Sequence, residues 1–313
     1  MPVAIDEISK NAMGGTEQMK FGLSKRLPSD LLDKFQIICS RVREIDSKLI
    51  PIYWLHDLPG DPESEHLKQG GYNKFEKLVF VSNWQMQAYI NYYGIPWHKC
   101  IVLQNAIEPV SRIEKPKDKI KIIYHTTPHR GLGLLVPVFI SLAEKYENIE
   151  LDVFSSFKIY GWEERDKPYE QLFQICKEHP KINYHGFQSN DVVREALQQA
   201  HIFAYPSVWL ETSCIALLEA MSAGCLCIHP NYGALYETAA NFNWMYQFNQ
   251  DTRDHMTVLH TMLQSGIENV LAETVQTTLL STKNYIDTFY NWDRRATEWT
   301  GFLQHILATK KRG

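Results

Sequence analysis

Two glutamates eight positions apart, Glu211 and Glu219, flank the end of an apolar run, a polar turn and the start of a helix. The run His201 to Tyr205 stops at Pro206, and the hydroxyl of Thr212 or Ser213 can cap the helix that follows. Free backbone N–H groups at a helix start, together with the helix dipole, favour an anion such as a diphosphate. Ser213, Cys214 and Ile215 supply that backbone. Glu219, roughly two turns into such a helix, can accept from both hydroxyls of a ribose, and Glu211 can face whatever lies beyond the phosphates. The same letters also fit a solvated helix, because glutamates are common in helices and a spacing of eight decides nothing alone.

Three more loops carry side chains suited to a ligand. In Met13-Gly14-Gly15-Thr16-Glu17 two glycines precede a helix with an acid in its first turn, so backbone at Gly15 can approach a ligand closely, although a plain cap needs the same residues. In Tyr53-Trp54-Leu55-His56-Asp57 a strand ends on His56, which can donate to a hydroxyl with Asp57 orienting it, while a lone histidine otherwise serves structure. In the stretch from Ile123 to Leu135, Arg130 stands at a loop–helix junction and presents a planar fork to a diphosphate, against the alternative of a surface arginine. Gly131 and Gly133 fall inside the apparent helix and make no dinucleotide fingerprint. Phe187 and Gln188, after Asn183-Tyr184-His185-Gly186, sit in a turn ahead of another helix.

Metal chemistry finds little support in these residues. His125 and His129 have a helical zinc spacing, but Pro128 and two threonines make that stretch a loop, and it has no carboxylate partner. Cys225 and Cys227 point to one face of an expected strand with no second ligand pair nearby, which favours core packing. No Asp-x-Asp pair is present to hold a divalent ion against a diphosphate. The expectation is therefore a site with no metal and no cofactor.

These side chains must be positioned by alternating elements. Phe35 to Cys39, Ile50 to Leu55, Leu78 to Ser82 and Ile101 to Gln104 read as strands, with Thr16 to Leu27 and Trp84 to Tyr93 as helices. After a proline-bearing charged run from 108 to 119 the alternation restarts with Ile120 to Tyr124, Ile149 to Phe154, Ile182 to Tyr184, Ile202 to Tyr205 and Leu226 to Ile228. The expected division is a short first domain 1–113, a second domain 114–290 and a terminal helix 291–313. At 313 residues the chain suits two domains, and 44% hydrophobic with 22% charged residues marks a globular protein. A net charge of -4 gives no global pull toward nucleic acid or an anionic membrane, so any anion is captured locally. The start lacks a basic region ahead of an apolar core, no apolar stretch approaches the ~20 residues of a spanning helix, and six scattered cysteines suit reduced thiols. These observations point to a cytoplasmic protein without stable membrane insertion. The tail Lys310-Lys311-Arg312 reads as a solvated helix end.

The order Glu211, Glu219-Ala220-Met221, then Gly233-Ala234-Leu235-Tyr236-Glu237 resembles the glutamate-seven-residue-glutamate signature and Gly-Gly-x-x-Glu turn of family 4 retaining glycosyltransferases (glycosyl transferases group 1). Gly14-Gly15-Thr16-Glu17 resembles that family's Gly-Gly turn, and Leu103-Gln104-Asn105-Ala106-Ile107-Glu108 its hinge, with Ala106 in place of glycine. The resemblance is strongest from 120 to 240. It implies the GT-B fold: two Rossmann-like domains with parallel sheets facing a central cleft, and a terminal helix crossing back to the first domain. It also implies transfer of a hexose, from a donor of GDP-mannose or UDP-hexose type, to a glycan acceptor hydroxyl. Glu219 would then hold ribose, Arg130 and the backbone from Ser213 to Ile215 the diphosphate, Glu211 and His56 the sugar, and Phe187 the base. Where the family carries an arginine five residues before its second phosphate contact, this chain has His125, which removes a permanent charge. A non-catalytic nucleotide-sugar-binding protein, or another GT-B chemistry such as an epimerase, fits the same motifs. The oligomeric state stays open.

Overall fold

Among the described residues, short runs of β-branched and aromatic residues, each too brief for a helix, form ten strands that pair only in parallel. The computed structural model describes residues 14–310. Residue contacts divide the chain into two units, one made of the chain up to Ile107 with the chain from Tyr290 on, the other Glu108–Phe289. In chain order the helices are α1 (Gly15–Ser24), α2 (Ser29–Leu32), α3 (Asn83–Tyr93), α4 (Leu132–Lys145), α5 (Glu170–Glu178), α6 (Asn190–Gln199), α7 (Ile215–Ser222), α8 (Leu235–Ala239), α9 (Thr252–Asn269), α10 (Glu273–Phe289) and α11 (Trp292–Lys310).

The first unit holds a sheet of β1 (Phe35–Cys39), β2 (Ile50–Trp54), β3 (Lys77–Phe80) and β4 (Cys100–Val102), in that spatial order. Ile52, Leu78, Val79 and Phe80 are fully buried, as both faces of a covered parallel sheet require. The terminal helix α11 belongs to this unit, as a crossing helix of the expected fold should. Its Trp299 packs edge-on against Trp54 with ring centroids 4.9 Å apart. Trp292 occupies the space where Gly22 of α1 has no side chain; a Cβ there would stand 2.0 Å from the indole.

The second unit contains β5 (Ile120–Tyr124), β6 (Ile149–Val153), β7 (Ile182–Tyr184), β8 (Ile202–Ala204), β9 (Leu226–Pro230) and β10 (Trp244–Tyr246), in the order β10-β9-β8-β5-β6-β7. The chain winds outward from β5 to β7, returns to lay β8 on the other side of β5, and winds outward again. That reversal makes a topological switch point between β5 and β8, and ligands of open α/β sheets lie beyond the carboxyl ends of such strands. The strand β10 at the sheet edge has no counterpart among the strands expected from the sequence.

The charged run 108–116 keeps Glu108, Arg112 and Glu114 exposed but is tied to the rest of the second unit at several points. Val110 N donates to Ser222 Oγ at 2.8 Å, and the buried Lys115 ammonium donates to the carbonyls of Gly224 (2.9 Å) and Ala200. His201 Nε2 bonds the Pro116 carbonyl at 2.9 Å. Cys225 and Cys227 lie buried in the core, and burial pushes both thiols up. Among the described residues no three His, Cys, Asp or Glu side chains are grouped to hold a metal ion, and no helix is long and apolar enough to cross a membrane.

Candidate functional site

The two strands at the switch point carry the charged side chains. β5 leads through a short turn, Pro128–Arg130, into α4, and β8 leads through 205–214 into α7. The two exits touch at Gly131, whose φ of +126° and close approach to Pro206 exclude a side chain: a Cβ would stand 2.2 Å from the Pro206 carbonyl oxygen. Sequence pattern places Gly131 inside the helix, whereas the structure places it ahead of α4 as the contact that lets the loops meet.

Arg130 and Glu211 are joined by this contact. Arg130 Nε donates to Thr127 Oγ1 at 3.2 Å and Nη1 donates to Glu211 Oε1, the same oxygen that accepts from the Tyr205 hydroxyl. Glu211 is only 5% exposed. Burial opposes the charge on Arg130, but Glu211 together with Tyr205 and Tyr160 more than offsets it, so the guanidinium stays protonated. A second glycine fixes the acid from behind. Gly233 (φ +62°) bridges to Glu211 in parallel fashion, Ala234 N donates to the Glu211 carbonyl at 2.7 Å, and a Cβ on Gly233 would meet that carbonyl oxygen at 2.6 Å.

Because Glu211 is engaged in that bridge, the loop runs further than its hydroxyl residues suggest. α7 begins at Ile215 with Cys214 as N-cap and no side-chain capping bond, so neither Thr212 nor Ser213 starts it. Ser213 and Cys214 thus lie in the loop and Ile215 is the first helical residue. Glu219 is consequently about one turn inside the helix, not two. It is 5% exposed. Its Oε1 accepts from Asn190 Nδ2 at 3.1 Å and from Arg194 Nη1 at 3.0 Å, both from α6. Burial raises the carboxyl, and those two donors pull it back in part. Arg194 Nη2 meanwhile holds the carbonyls of Glu108 (2.9 Å) and Pro109 (3.0 Å).

The remaining loop residues of this unit follow β5 and, two strands away in the sheet, β7. His125 leaves β5 with its ring 4.8 Å from Phe203 of β8. Its buried Nε2 has no hydrogen-bond partner, and burial lowers it to about 3, so it is neutral at ordinary pH. His129 stacks on Phe157 at 5.0 Å and meets Trp209 edge-on at 5.0 Å; burial lowers it to about 4. Phe187 is half-buried after Gly186, which takes a left-handed φ of +62°. Gln188 donates to the His185 carbonyl at 3.0 Å.

Residues 104–257 match the family described as Glycosyl transferases group 1. Over that span the chain carries a glycosyltransferase domain, and Arg130, Glu211 and Glu219 all lie within it. Among solved structures the chain is similar to a glycosyltransferase from Rickettsia africae (13% identity, TM-score 0.69, covering 97% of this chain and 84% of that one). It is also similar to HepE from Anabaena in complex with UDP-glucose (13%, 0.63, 83% and 72%). A third likeness is to WaaG, a glycosyltransferase involved in lipopolysaccharide biosynthesis (15%, 0.65, 90% and 80%). These likenesses show a common GT-B fold. No curated protein matches the chain by sequence.

Two site residues belong to the other unit. His56 follows β2 with its ring 4.7 Å from Trp54, and burial lowers it to about 3; the Asp57 carboxyl beside it is raised by burial. Gly15 is the first residue of α1, with Gly14 as N-cap, and burial raises Glu17 in that first turn. Met13, like the tail beyond Lys310, lies outside the described residues.

Three partners of the two glutamates, Tyr205, Asn190 and Arg194, and one partner of Arg130, Thr127, carry no assigned role in the sequence motifs. Tyr205 reads as the last apolar residue of a strand. Asn190 and Arg194 were open to detection, since an i, i+4 polar pair at the start of a helix that follows a strand faces the carboxyl end of the sheet.

Proposed function

We propose that the Glu108–Phe289 unit binds a nucleoside-diphosphate hexose and that the protein transfers the hexose to a glycan acceptor hydroxyl with retention, as in family 4, without a metal ion. The observation that carries this is the knot of Arg130, Glu211 and Tyr205 at the switch point, next to the start of α7. The bonds of Arg130 use Nε and Nη1, which leaves Nη2 as the edge for a phosphate oxygen. The first amides of α7 add donors to the same diphosphate. On Glu219 both bonds fall on Oε1, so Oε2 is the oxygen for a ribose hydroxyl. Glu211 faces the hexose.

Arg130 and the helix start stabilise charge as the anomeric carbon–oxygen bond opens and its electron pair moves to the leaving phosphate. The acceptor oxygen bonds to the anomeric carbon from the same face and its proton passes to the leaving phosphate oxygen. No side chain acts as nucleophile. HepE, of like fold, is described with UDP-glucose, which supports a UDP-hexose as donor over one of GDP-mannose type. Buried free thiols fit a reducing, cytoplasmic setting.

Calorimetric titration in EDTA with UDP-, GDP- and ADP-hexoses tests this reading. One donor is expected to bind saturably, and Glu219→Ala should weaken it by about 1.5–3 kcal/mol, the range for hydrogen bonds to a charged group. Binding that needs a divalent ion, or that ignores Glu219→Ala, would overturn the placement. The neutral His125 favours a second reading, a protein that binds the nucleotide sugar without turnover. Saturable binding with no sugar transferred or released over hours would select it.

A further inference from the structure

Trp209 stands two residues before Glu211 and is 42% exposed, in a loop whose Tyr205, Ser207, Glu211 and Cys214 are buried. Ser207 Oγ accepts from Trp209 N at 3.2 Å and donates to Trp209 O at 3.0 Å, so the backbone that carries the indole is fixed. On one side the Arg130 guanidinium lies 5.8 Å from the ring centroid. On another the His129 ring meets it at 84° and is itself backed by Phe157, stacked at 18°. Single exposed hydrophobic residues are ordinary. This one is different because it is seated by neighbours on two sides and borders the ion pair of half-buried Arg130 and buried Glu211 at the switch point.

A pyranose ring presents apolar C–H groups on its faces and hydroxyls around its rim. A flat aromatic surface next to a charged pair matches both parts at once, the face lying on the ring and the rim reaching the charges. From this we infer that Trp209 is the platform on which a pyranose lies during transfer, and that it helps determine which sugar the site accepts. The inference rests on the proposed glycosyl transfer. The pyranose is the donor's hexose or a sugar of the acceptor, and the two are separable by experiment.

The test is calorimetry on the parent, Trp209→Ala and Trp209→Phe with UDP-glucose, GDP-mannose, free UDP and free GDP. It is joined by transfer assays at saturating donor with methyl α-glucoside and methyl α-mannoside as acceptor probes. Trp209→Ala is expected to weaken the nucleotide-hexose about tenfold, as loss of one aromatic contact does, to leave the free nucleotide unchanged, and to be largely rescued by Trp209→Phe. If donor binding is unchanged but KM for the methyl glycoside rises by a similar factor, the platform serves the acceptor, and the inference still holds. Equal loss of nucleotide and nucleotide-hexose would mean that the indole only buttresses Arg130, and no change in either assay would mean that it touches no sugar. Either result overturns the inference while leaving the proposed function standing. A parent protein that binds neither nucleotide-hexose overturns both.

Discussion

The two sheets differ in how their strands are ordered, and their exits differ with them. In the first unit β1 to β4 lie side by side in chain order, so the described strands have no reversal, and the β2 exit carries a neutral His56 against Trp54. In the second unit the chain reverses at β5, and the exits on either side of that reversal carry a half-buried arginine and a buried glutamate in contact. A reversal sends the two following helices to opposite sides and opens space at the strand ends, where charged groups can meet a ligand. An ordered sheet offers no such space. At these strand exits the ion pair therefore accompanies the topology that can use it.

The comparison breaks most directly at Arg130. Arg130→Met should leave Glu211 buried without its cation and lower stability by about 3–5 kcal/mol, the cost of removing one partner of a buried pair. Chemical unfolding at pH 7 measures this. Adding Glu211→Gln should recover part of the stability and none of the donor binding. If Arg130→Met leaves the unfolding midpoint in place, the pair does not hold the exits together.

Gly233→Ala is the next largest change. The added methyl group must displace the Glu211 carbonyl at a backbone with φ of +62°, at a cost of about 1–3 kcal/mol. Donor affinity should fall with it, because the acid moves although no charged group is lost. The contrasting position is Gly94 (φ +66°), where a Cβ meets nothing within 4 Å. Gly94→Ala is expected to cost less stability and to leave titration with nucleotide sugar unaltered.

Acid should act on both exits alike, which sharpens the contrast in charge. His56 and His125 are each held near 3, below the ordinary value of 6.5, so the unfolded chain binds the extra proton first. Their contribution to stability is complete above about pH 6.5 and is lost as pH falls toward 3, by about 1.4 kcal/mol per pH unit for each group. Thermal melts between pH 7 and pH 4.5 should show this slope, and His56→Gln and His125→Gln should each flatten it. A slope that both variants leave intact would place the acid sensitivity elsewhere.

The parallel α/β layout is legible in the sequence because its strands are short, apolar and regularly spaced, and Glu211, Glu219 and Arg130 stand out as charged residues at strand exits. What surrounds them is less legible for physical reasons. The start of α7 is displaced by the backbone bridge between Glu211 and Gly233, a contact between residues 22 positions apart that no capping rule contains. Gly131 looks helical by its neighbours, yet its conformation is set by Pro206 on another loop. The i, i+4 pair of Asn190 and Arg194 points to the carboxyl end of the sheet, but that Glu219 is the acid it meets depends on the sheet order.

The stitching of residues 108–116 bears on how the gene can be divided. A fragment beginning after the charged run would lose the Val110 amide, the Lys115 ammonium and the Pro116 carbonyl, each already bonded to Ser222, Gly224 or His201. A fragment spanning Glu108–Phe289 keeps all three, together with the two carbonyls that steady Arg194. What reads as connecting thread is the hem of the second unit.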